Sequence, residues 1–190
     1  MTATSQQIRS RETLIAAMAQ GLTAEFLFFW GHRPKKDGSL GQSCFSQWYP
    51  ASFEVADSTY LTAEHFMMAE KARLFSDPET LAKILATDSP SVAKKLGREV
   101  NNYDDEAWKA RRFDAVVEGN LAKFTQNEEM GSFLLATENS ILVEASPYDR
   151  IWGIGLSRDH AHAAEPAKWR GQNLLGFALM EVRQQLQNDK

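Results

Sequence analysis

Apolar residues recur with two different spacings along the chain, and each spacing predicts a different kind of element. Continuous apolar runs at residues 25–30 (EFLFFW) and from Leu142 onward predict short buried strands. Apolar residues at every third or fourth position predict helices over residues 62–75, 104–124, 130–136 and 173–186. Residues 45–53 (FSQWYPASF) are predicted to be short extended structure around Pro50.

Helix start signals divide the middle of the chain. Thr62 is a predicted N-cap, and Asp77 and Ser89 are each followed by a proline, which favours the first position of a helix. Gly97 is the predicted end of the helix that begins after Ser89. These signals add two short helices to the four that the apolar spacing indicates.

The elements together predict a single compact, helix-rich domain of the α+β class with a few short strands. Residues 5–21 also carry an amphipathic pattern, so we expect a helix there. We assign residues 1–22 to an N-terminal extension and residues 23–190 to the main domain, because no repeat or linker composition divides the rest of the chain.

Composition narrows the function classes. The net charge of −4 argues against long-range attraction to nucleic acid, and the single cysteine, Cys44, excludes an internal disulfide. No apolar run is long enough to be a signal peptide or to span a bilayer, so we expect a cytoplasmic protein without membrane contact. The histidines do not form a ligand set, and no nucleotide-binding glycine motif is present, so we expect neither a metal nor a cofactor.

The segment 142–156 (LVEASPYDRIWGIGL) is the most informative stretch for function. After its apolar start it gathers two carboxylates, a hydroxyl, a guanidinium and a large aromatic within nine residues: Glu144, Ser146, Asp149, Arg150 and Trp152. Such a set suits a pocket for a flat, polar, phosphorylated ligand. A purely structural polar turn at the end of a strand explains the same residues equally well.

A second candidate lies on the predicted helix 62–75. Glu64 and Lys71 are seven residues apart, so they share one face at a separation of roughly 10 Å. An acid and a partly desolvated amine at this spacing can bracket a small substrate. For an isolated helix we favour the structural alternative, in which Glu64 suits the helix N-terminus and Lys71 extends into solvent.

Aromatic and basic side chains complete the candidate set. Trp48 and Trp152 can stack on a heterocyclic base. Arg150 is the leading candidate for a phosphate contact because of its position beside the polar turn. Weaker candidates occur in the loop after Trp30 and on the helix after Ser89: Arg33, Lys35, Lys36, Lys94, Lys95 and Arg98.

Several segments taken in order resemble one family. The motifs are FFW, FSQWYP, YLTAEHFMMAEKA, LGREV, NLAKFTQN, LVEASPYDRIWGIGL and NLLGFALMEVR, and they cover the chain from about residue 25 to residue 186. In combination they resemble the YbiA-like N-glycosidases of the NADAR superfamily. The resemblance implies the YbiA-like fold and makes residues 23–190 the catalytic domain.

The resemblance also implies an activity, the hydrolysis of an N-glycosidic bond between ribose and a base-like amine. One implied substrate is a ribosylamino-pyrimidine phosphate, a reactive intermediate of riboflavin biosynthesis. The alternative enzyme is a hydrolase that removes ADP-ribose from guanine in nucleic acid. A non-catalytic module that binds ADP-ribose or a nucleotide is the alternative from another class.

Roles for individual residues follow from the resemblance alone. Lys71 is implied to attack the anomeric carbon and form a Schiff base, with Glu64 carrying protons and Asp149 steadying the cationic intermediate or orienting water. Glu144 is implied to do either. Lys123, in NLAKFTQN, is an alternative nucleophile, and direct attack by water between two carboxylates is an alternative route.

Binding roles are implied in the same way. Trp48 and Trp152 would hold the base, Arg150 the phosphate, and Glu144 and Ser146 the rest of the substrate. The chain departs from the usual family pattern at Gln47, where asparagine is expected, and at Glu138, where glycine is common.

Overall fold

The structure is a computed structural model that describes residues 8–188. Within this range seven α-helices surround two pairs of short strands: α1 (Arg11–Ala19), β1 (Phe26–Phe29), β2 (Phe53–Val55), β3 (Ser58–Tyr60), α2 (Ala63–Leu74), α3 (Pro78–Ala86), α4 (Pro90–Arg98), α5 (Asp105–Gln126), α6 (Glu128–Leu135), β4 (Ile141–Glu144) and α7 (Leu174–Asn188). Two 3₁₀ turns, Gln42–Phe45 and Pro166–Lys168, lie in the loops. This architecture confirms the predicted α+β class.

Strands β1 and β4 pair in parallel, with Phe26 opposite Ile141 and Phe29 opposite Glu144. Both strands were predicted from their continuous apolar runs, and Leu142 and Val143 are completely buried. The pairing requires a long crossover, which helices α2 to α6 provide. Its consequence for the site is that β4 ends in the protein interior with Glu144 as its last residue.

The segment 45–53 is not extended as predicted. The chain instead makes the 3₁₀ turn Gln42–Phe45 and a further turn before β2 begins at Phe53. Lys123 explains the difference, because its Nζ donates hydrogen bonds to the carbonyl oxygens of Cys44, at 2.6 Å, and Ser46, at 3.0 Å. Two carbonyls that accept bonds from a lysine are not available for strand pairing.

Helix α2 lies at the centre of the helical layer and contacts α3, α4 and α5. Two glycines allow the close approach. A Cβ atom at Gly97 of α4 would lie 2.0 Å from Met68 Sδ, and one at Gly119 of α5 would lie 2.5 Å from Phe66 Cδ1. We predicted that helix α4 ends at Gly97, but it continues to Arg98. Gly97 is buried and lets α4 approach α2 closely.

Helix α1 lies inside the predicted helix 5–21, of which residues 5–7 are outside the described range. Its Leu14 is completely buried. Arg11 ties the helix to the second 3₁₀ turn by hydrogen bonds to the carbonyl oxygens of Pro166, at 2.8 Å, and Ala167, at 2.9 Å. The division into an extension and a main domain stays a prediction. Among the described residues no helix has the length and apolarity needed to cross a membrane.

Candidate active site

The first turn of α2 places a carboxyl group in the protein interior. Thr62 caps the helix by accepting a hydrogen bond from the backbone N–H of His65. The backbone N–H of Glu64 donates to the carbonyl oxygen of Gln47 at 2.9 Å, which joins the helix to the loop that carries Trp48. The Glu64 residue is only 2% exposed, and its Oε1 atom has no hydrogen-bond partner within residues 8–188.

This environment changes the acidity of Glu64. Burial raises its pKa to about 7, and the negative charge of Asp149 acts in the same direction. The positive charges of Lys94 and Arg98 and the nearby Trp48 side chain oppose the rise. Near neutral pH the carboxyl group can therefore give up or accept a proton, which is what general acid–base catalysis requires.

Glu144 brings a second carboxyl group to the same place. Its backbone N–H donates to Asn173 Oδ1, and its carbonyl oxygen accepts from the N–H of Ile154, each at 2.9 Å. The Oε2 atom is enclosed and has no partner among the described residues. Burial raises the pKa of Glu144 to about 8, and the charges of Asp149 and Glu64 raise it further than Lys94 lowers it.

The polar turn after β4 holds the third carboxylate. Asp149 Oδ1 accepts hydrogen bonds from the N–H groups of Ile151, at 2.8 Å, and Trp152, at 2.7 Å. Ser146 Oγ accepts from the N–H groups of Tyr148, at 3.4 Å, and Asp149, at 3.2 Å. Ser146 thus organises the turn, and Asp149 is oriented with its charge acting on both Glu64 and Glu144.

The three remaining binding candidates have different surroundings. Trp48 is half-buried, with its ring centroid 5.5 Å from that of His32, and it borders a cavity of about 490 Å³. Trp152 is half-buried and packs against the hydrophobic core. Arg150 is exposed, and its side chain passes close to Gly155. The positive charge that favours ionisation of Glu144 is that of Lys94, and Arg150 is not among the charges that act on Glu144.

Lys71 lies two turns after Glu64 on α2. Its Nζ donates to the carbonyl oxygen of Gly97 at 2.7 Å and lies 4.1 Å from the centroid of the Tyr103 ring. Burial lowers its pKa, and the positive charge of Arg98 lowers it further. Arg98 also lowers the pKa of Glu64, whereas the charges that act on Lys71 are those of Arg98 and Asp105.

Lys123, the alternative nucleophile, is completely buried. Its amine donates to the two carbonyls of the loop before Gln47 and Trp48, and burial lowers its pKa to about 8. These bonds give Lys123 a structural task, because they shape the loop that places Trp48 beside Glu64.

Comparison with known proteins shows that residues 28–187 match the NADAR domain. The chain belongs to the NADAR family. It is 41% identical over 172 residues to the N-glycosidase R617 of Acanthamoeba polyphaga mimivirus, covering 87% of this chain and 98% of that protein. It is 32% identical over 146 residues to the N-glycosidase YbiA of Escherichia coli strain K12, covering 77% of this chain and 82% of that protein.

The solution NMR structure of E. coli YbiA has the same fold, with a TM-score of 0.69 at 27% sequence identity. The match covers 100% of this chain and 95% of that one. These similarities confirm the resemblance to YbiA-like NADAR proteins.

Two groups of this NADAR site were not singled out from the sequence. Lys94 was one of several weak phosphate candidates, but its charge acts on both Glu64 and Glu144. Asn173 was considered only as the start of a helix. It is completely buried, and its side-chain amide holds β4 by donating to the Leu142 carbonyl oxygen at 2.9 Å and accepting from the Glu144 N–H.

Gln47 also belongs to the surroundings of Glu64. Asn120 Nδ2 donates to Gln47 Oε1 at 2.7 Å, while Gln47 Nε2 and Asn120 Oδ1 have no partner within the described range. Four buried polar atoms (Gln47 Nε2, Glu64 Oε1, Asn120 Oδ1 and Glu144 Oε2) thus have no hydrogen-bond partner among the described residues. The described residues contain no group of histidine, cysteine and acidic side chains arranged to hold a metal ion.

Proposed function

We propose that this NADAR protein is an N-glycosidase that hydrolyses the bond between ribose and the amine of a ribosylamino-pyrimidine phosphate, an intermediate of riboflavin biosynthesis. The observation that carries the proposal is the Glu64 carboxyl group, which is buried beside Trp48 with a free oxygen and a pKa of about 7. Relatives named N-glycosidases, R617 and YbiA, support the reaction class.

The first chemical step is the departure of the base. In its neutral form Lys71 attacks the anomeric carbon through Nζ, and the bond from that carbon to the base nitrogen breaks. Glu64 supplies the proton that the leaving nitrogen needs. The lowered pKa of Lys71 supports this role, because a larger fraction of the amine is then neutral and nucleophilic.

The second step opens the sugar and releases it. The ring oxygen leaves the anomeric carbon and takes a proton, which produces a Schiff base between that carbon and Lys71. Water then adds to the Schiff base and the carbon–nitrogen bond breaks, so that ribose phosphate departs and the free lysine is restored. Asp149, with its carboxylate oriented by the polar turn, steadies the cationic intermediate or orients this water.

The base is held by flat side chains and free polar atoms. Trp48 borders the adjoining cavity and offers a surface for stacking, and Trp152, which is half-buried beside the polar turn, is proposed to hold the other side of the base. Glu144 has an enclosed, unpartnered oxygen and a pKa of about 8, so near neutral pH it can donate a hydrogen bond to a substrate acceptor. Arg150 contributes from the exposed rim, and Ser146 acts through the shape of the turn.

Purified protein incubated with the ribosylamino-pyrimidine phosphate should release the free base and ribose phosphate, as followed by mass spectrometry. ADP-ribosylated guanosine is the comparison substrate. Preferential turnover of that compound would replace the proposed substrate by the nucleic-acid modification. Binding of either compound without release of base would indicate a non-catalytic binding module and would contradict the proposed enzymatic activity.

A further inference from the structure

Helix α4 carries two cations on one face without a carboxylate to pair with either. Lys94 and Arg98 are four residues apart, and neither takes part in an ion pair or hydrogen bond within residues 8–188. Other helices of the protein pair their cations locally, as in Lys83 with Glu79 and Lys109 with Asp105. Like charges at this spacing destabilise an isolated helix.

The packing of α4 aims this face at the candidate active site. Gly97 lies against Met68, one turn after Glu64 on α2, so the two helices are in close contact at this level. Lys94 Nζ lies 5.7 Å from the centroid of a Trp48 ring. Its charge acts on the carboxyl groups of both Glu64 and Glu144, and that of Arg98 acts on Glu64.

The two cations are not neutralised by the carboxyl groups beside them. No oxygen of Glu64 or Glu144 is within ion-pair distance of Lys94, and both carboxyls lie in surroundings that favour their neutral form. An unpaired ammonium and guanidinium near Trp48, which borders a cavity, are a ready site for an anion. Arg150, the candidate from the sequence, has no comparable effect on Glu144.

We propose that Lys94, assisted by Arg98, binds the phosphate group carried by the ribose of the substrate, while Trp48 and Glu64 hold the base and the scissile bond. This inference rests on the proposed function for the identity of the sugar. The chemistry recognised is that of a ribose 5-phosphate, whether a monoester or the inner phosphate of a diphosphate. Lys94 makes the main contact because it is half-buried over Trp48, whereas Arg98 is exposed.

Calorimetric titration with ribose 5-phosphate and with ribose tests the contact without requiring turnover. Wild-type protein should bind ribose 5-phosphate at least ten times more tightly than ribose. Lys94→Gln should weaken binding of ribose 5-phosphate by about 10-fold or more, since a charge-assisted hydrogen bond is lost, and should leave binding of ribose unchanged. Lys83→Gln is the matched control, because it removes the same charge from an exposed position on α3.

Two results would overturn the inference: equal affinity of the wild-type protein for both sugars, or equal weakening by the Lys94 and Lys83 substitutions. The first needs no variant, so a folding defect of Lys94→Gln does not remove the test. In turnover assays Lys94→Gln should raise KM for the phosphorylated ribosylamine more than KM for the dephosphorylated substrate, whereas Lys83→Gln should change neither. The same comparison of wild-type protein and Lys94→Gln with ADP-ribosylated guanosine, which carries a diphosphate, tests whether Lys94 contacts the inner phosphate of a diphosphate. Absence of base release by the wild-type protein would refute the proposed function and leave the titration result standing.

Discussion

The two ends of α2 differ in how fully their polar groups are bonded. At the N-terminal end Glu64 is buried and leaves Oε1 without a partner in the described part of the chain. Two turns later the Lys71 amine donates to the Gly97 carbonyl oxygen and lies over the Tyr103 ring. A buried polar atom without a partner destabilises the fold, so its retention points to a ligand, whereas the bonds of Lys71 also suit a structural role.

The comparison shows which part of the mechanism needs the strictest test. The surroundings of Glu64 favour a catalytic group directly. Those of Lys71 are compatible with a nucleophile that is released from Gly97 when substrate binds and with a lysine that only joins α2 to α4.

Lys71→Arg should break the proposed chemistry while it preserves the contacts. Arginine keeps a positive charge and can still donate to the Gly97 carbonyl, but it is not a nucleophile at neutral pH. We expect kcat to fall on the order of 10³-fold or more. Borohydride added during turnover should leave a sugar-phosphate adduct on Lys71 of the wild-type protein, and peptide mass spectrometry should find none in the variant.

A merely structural Lys71 predicts little loss of activity in the same variant. An adduct on Lys123 would transfer the nucleophile to that residue, and an adduct on Lys94 would overturn both the Lys71 assignment and the phosphate contact.

Glu64→Gln tests the other end of α2. The amide keeps the shape of the side chain and removes proton transfer, so kcat should fall by about 10²-fold or more. In the wild-type protein kcat should decline as pH rises through about 7, because the group must be protonated to act as the acid. Steady-state rates from pH 5 to 9 measure both effects, with exposed Glu79→Gln as the control. A loss well below tenfold, or an unchanged pH profile, would exclude Glu64 as the acid.

The same substitution should stabilise the protein at alkaline pH. The folded-state pKa of Glu64 is raised from 4.5 to about 7, so the neutral form is favoured in the fold. The stabilisation is fully present below pH 4.5 and is lost as pH rises through about 7. The loss amounts at most to about 3 kcal/mol at pH 8.

Chemical denaturation at pH 5 and pH 8 provides the measurement. The wild-type protein should lose more stability between these two pH values than Glu64→Gln does. Parallel declines in the two proteins would show that Glu64 ionises in the fold as readily as in water, and the comparison between the ends of α2 would lose its basis.

Sequence patterns predicted the local parts of this site well. Thr62, Asp77 and Ser89 are N-caps as their chemistry indicated, and the predicted strands β1 and β4 are present, with β4 mostly buried and β1 mostly half-buried. The hairpin of β2 and β3 was not specified, because its turn residues Ala56 and Asp57 have positive φ angles of 48° and 60° without the usual glycine or asparagine signal.

Contacts between residues that are far apart in the sequence were harder to predict. Glu64 and Lys71 could be paired from their spacing on one helix. Lys94 could not be distinguished from its neighbours on α4, because its position over Trp48 depends on the contact between Gly97 and Met68. The role of Asn173 could not be predicted either, because its hydrogen-bond partners are backbone groups of β4, which lies about 30 positions earlier in the chain.

The smallest effect concerns two residues with left-handed backbone conformations, Glu138 at φ 47° and Asn173 at φ 56°. Glu138, where the family commonly has glycine, lies in the turn after α6, and none of its side-chain atoms makes a hydrogen bond within the described residues. Glu138→Gly should therefore increase the free energy of unfolding by about 0.5–1 kcal/mol, because the steric cost of a Cβ atom disappears. Denaturant titration and an unchanged kcat are the measurements.

Asn173→Gly is the matched control with the opposite expected sign. It also relieves the left-handed conformation, but it removes the two hydrogen bonds to Leu142 and Glu144. The variant should lose about 2 kcal/mol of stability or more, since two buried backbone groups are left unbonded. If both glycine variants changed stability in the same direction, backbone strain would outweigh side-chain bonding at these positions. The contrast between bonded and unbonded polar groups, on which the assignment of Glu64 rests, would then need a different physical basis.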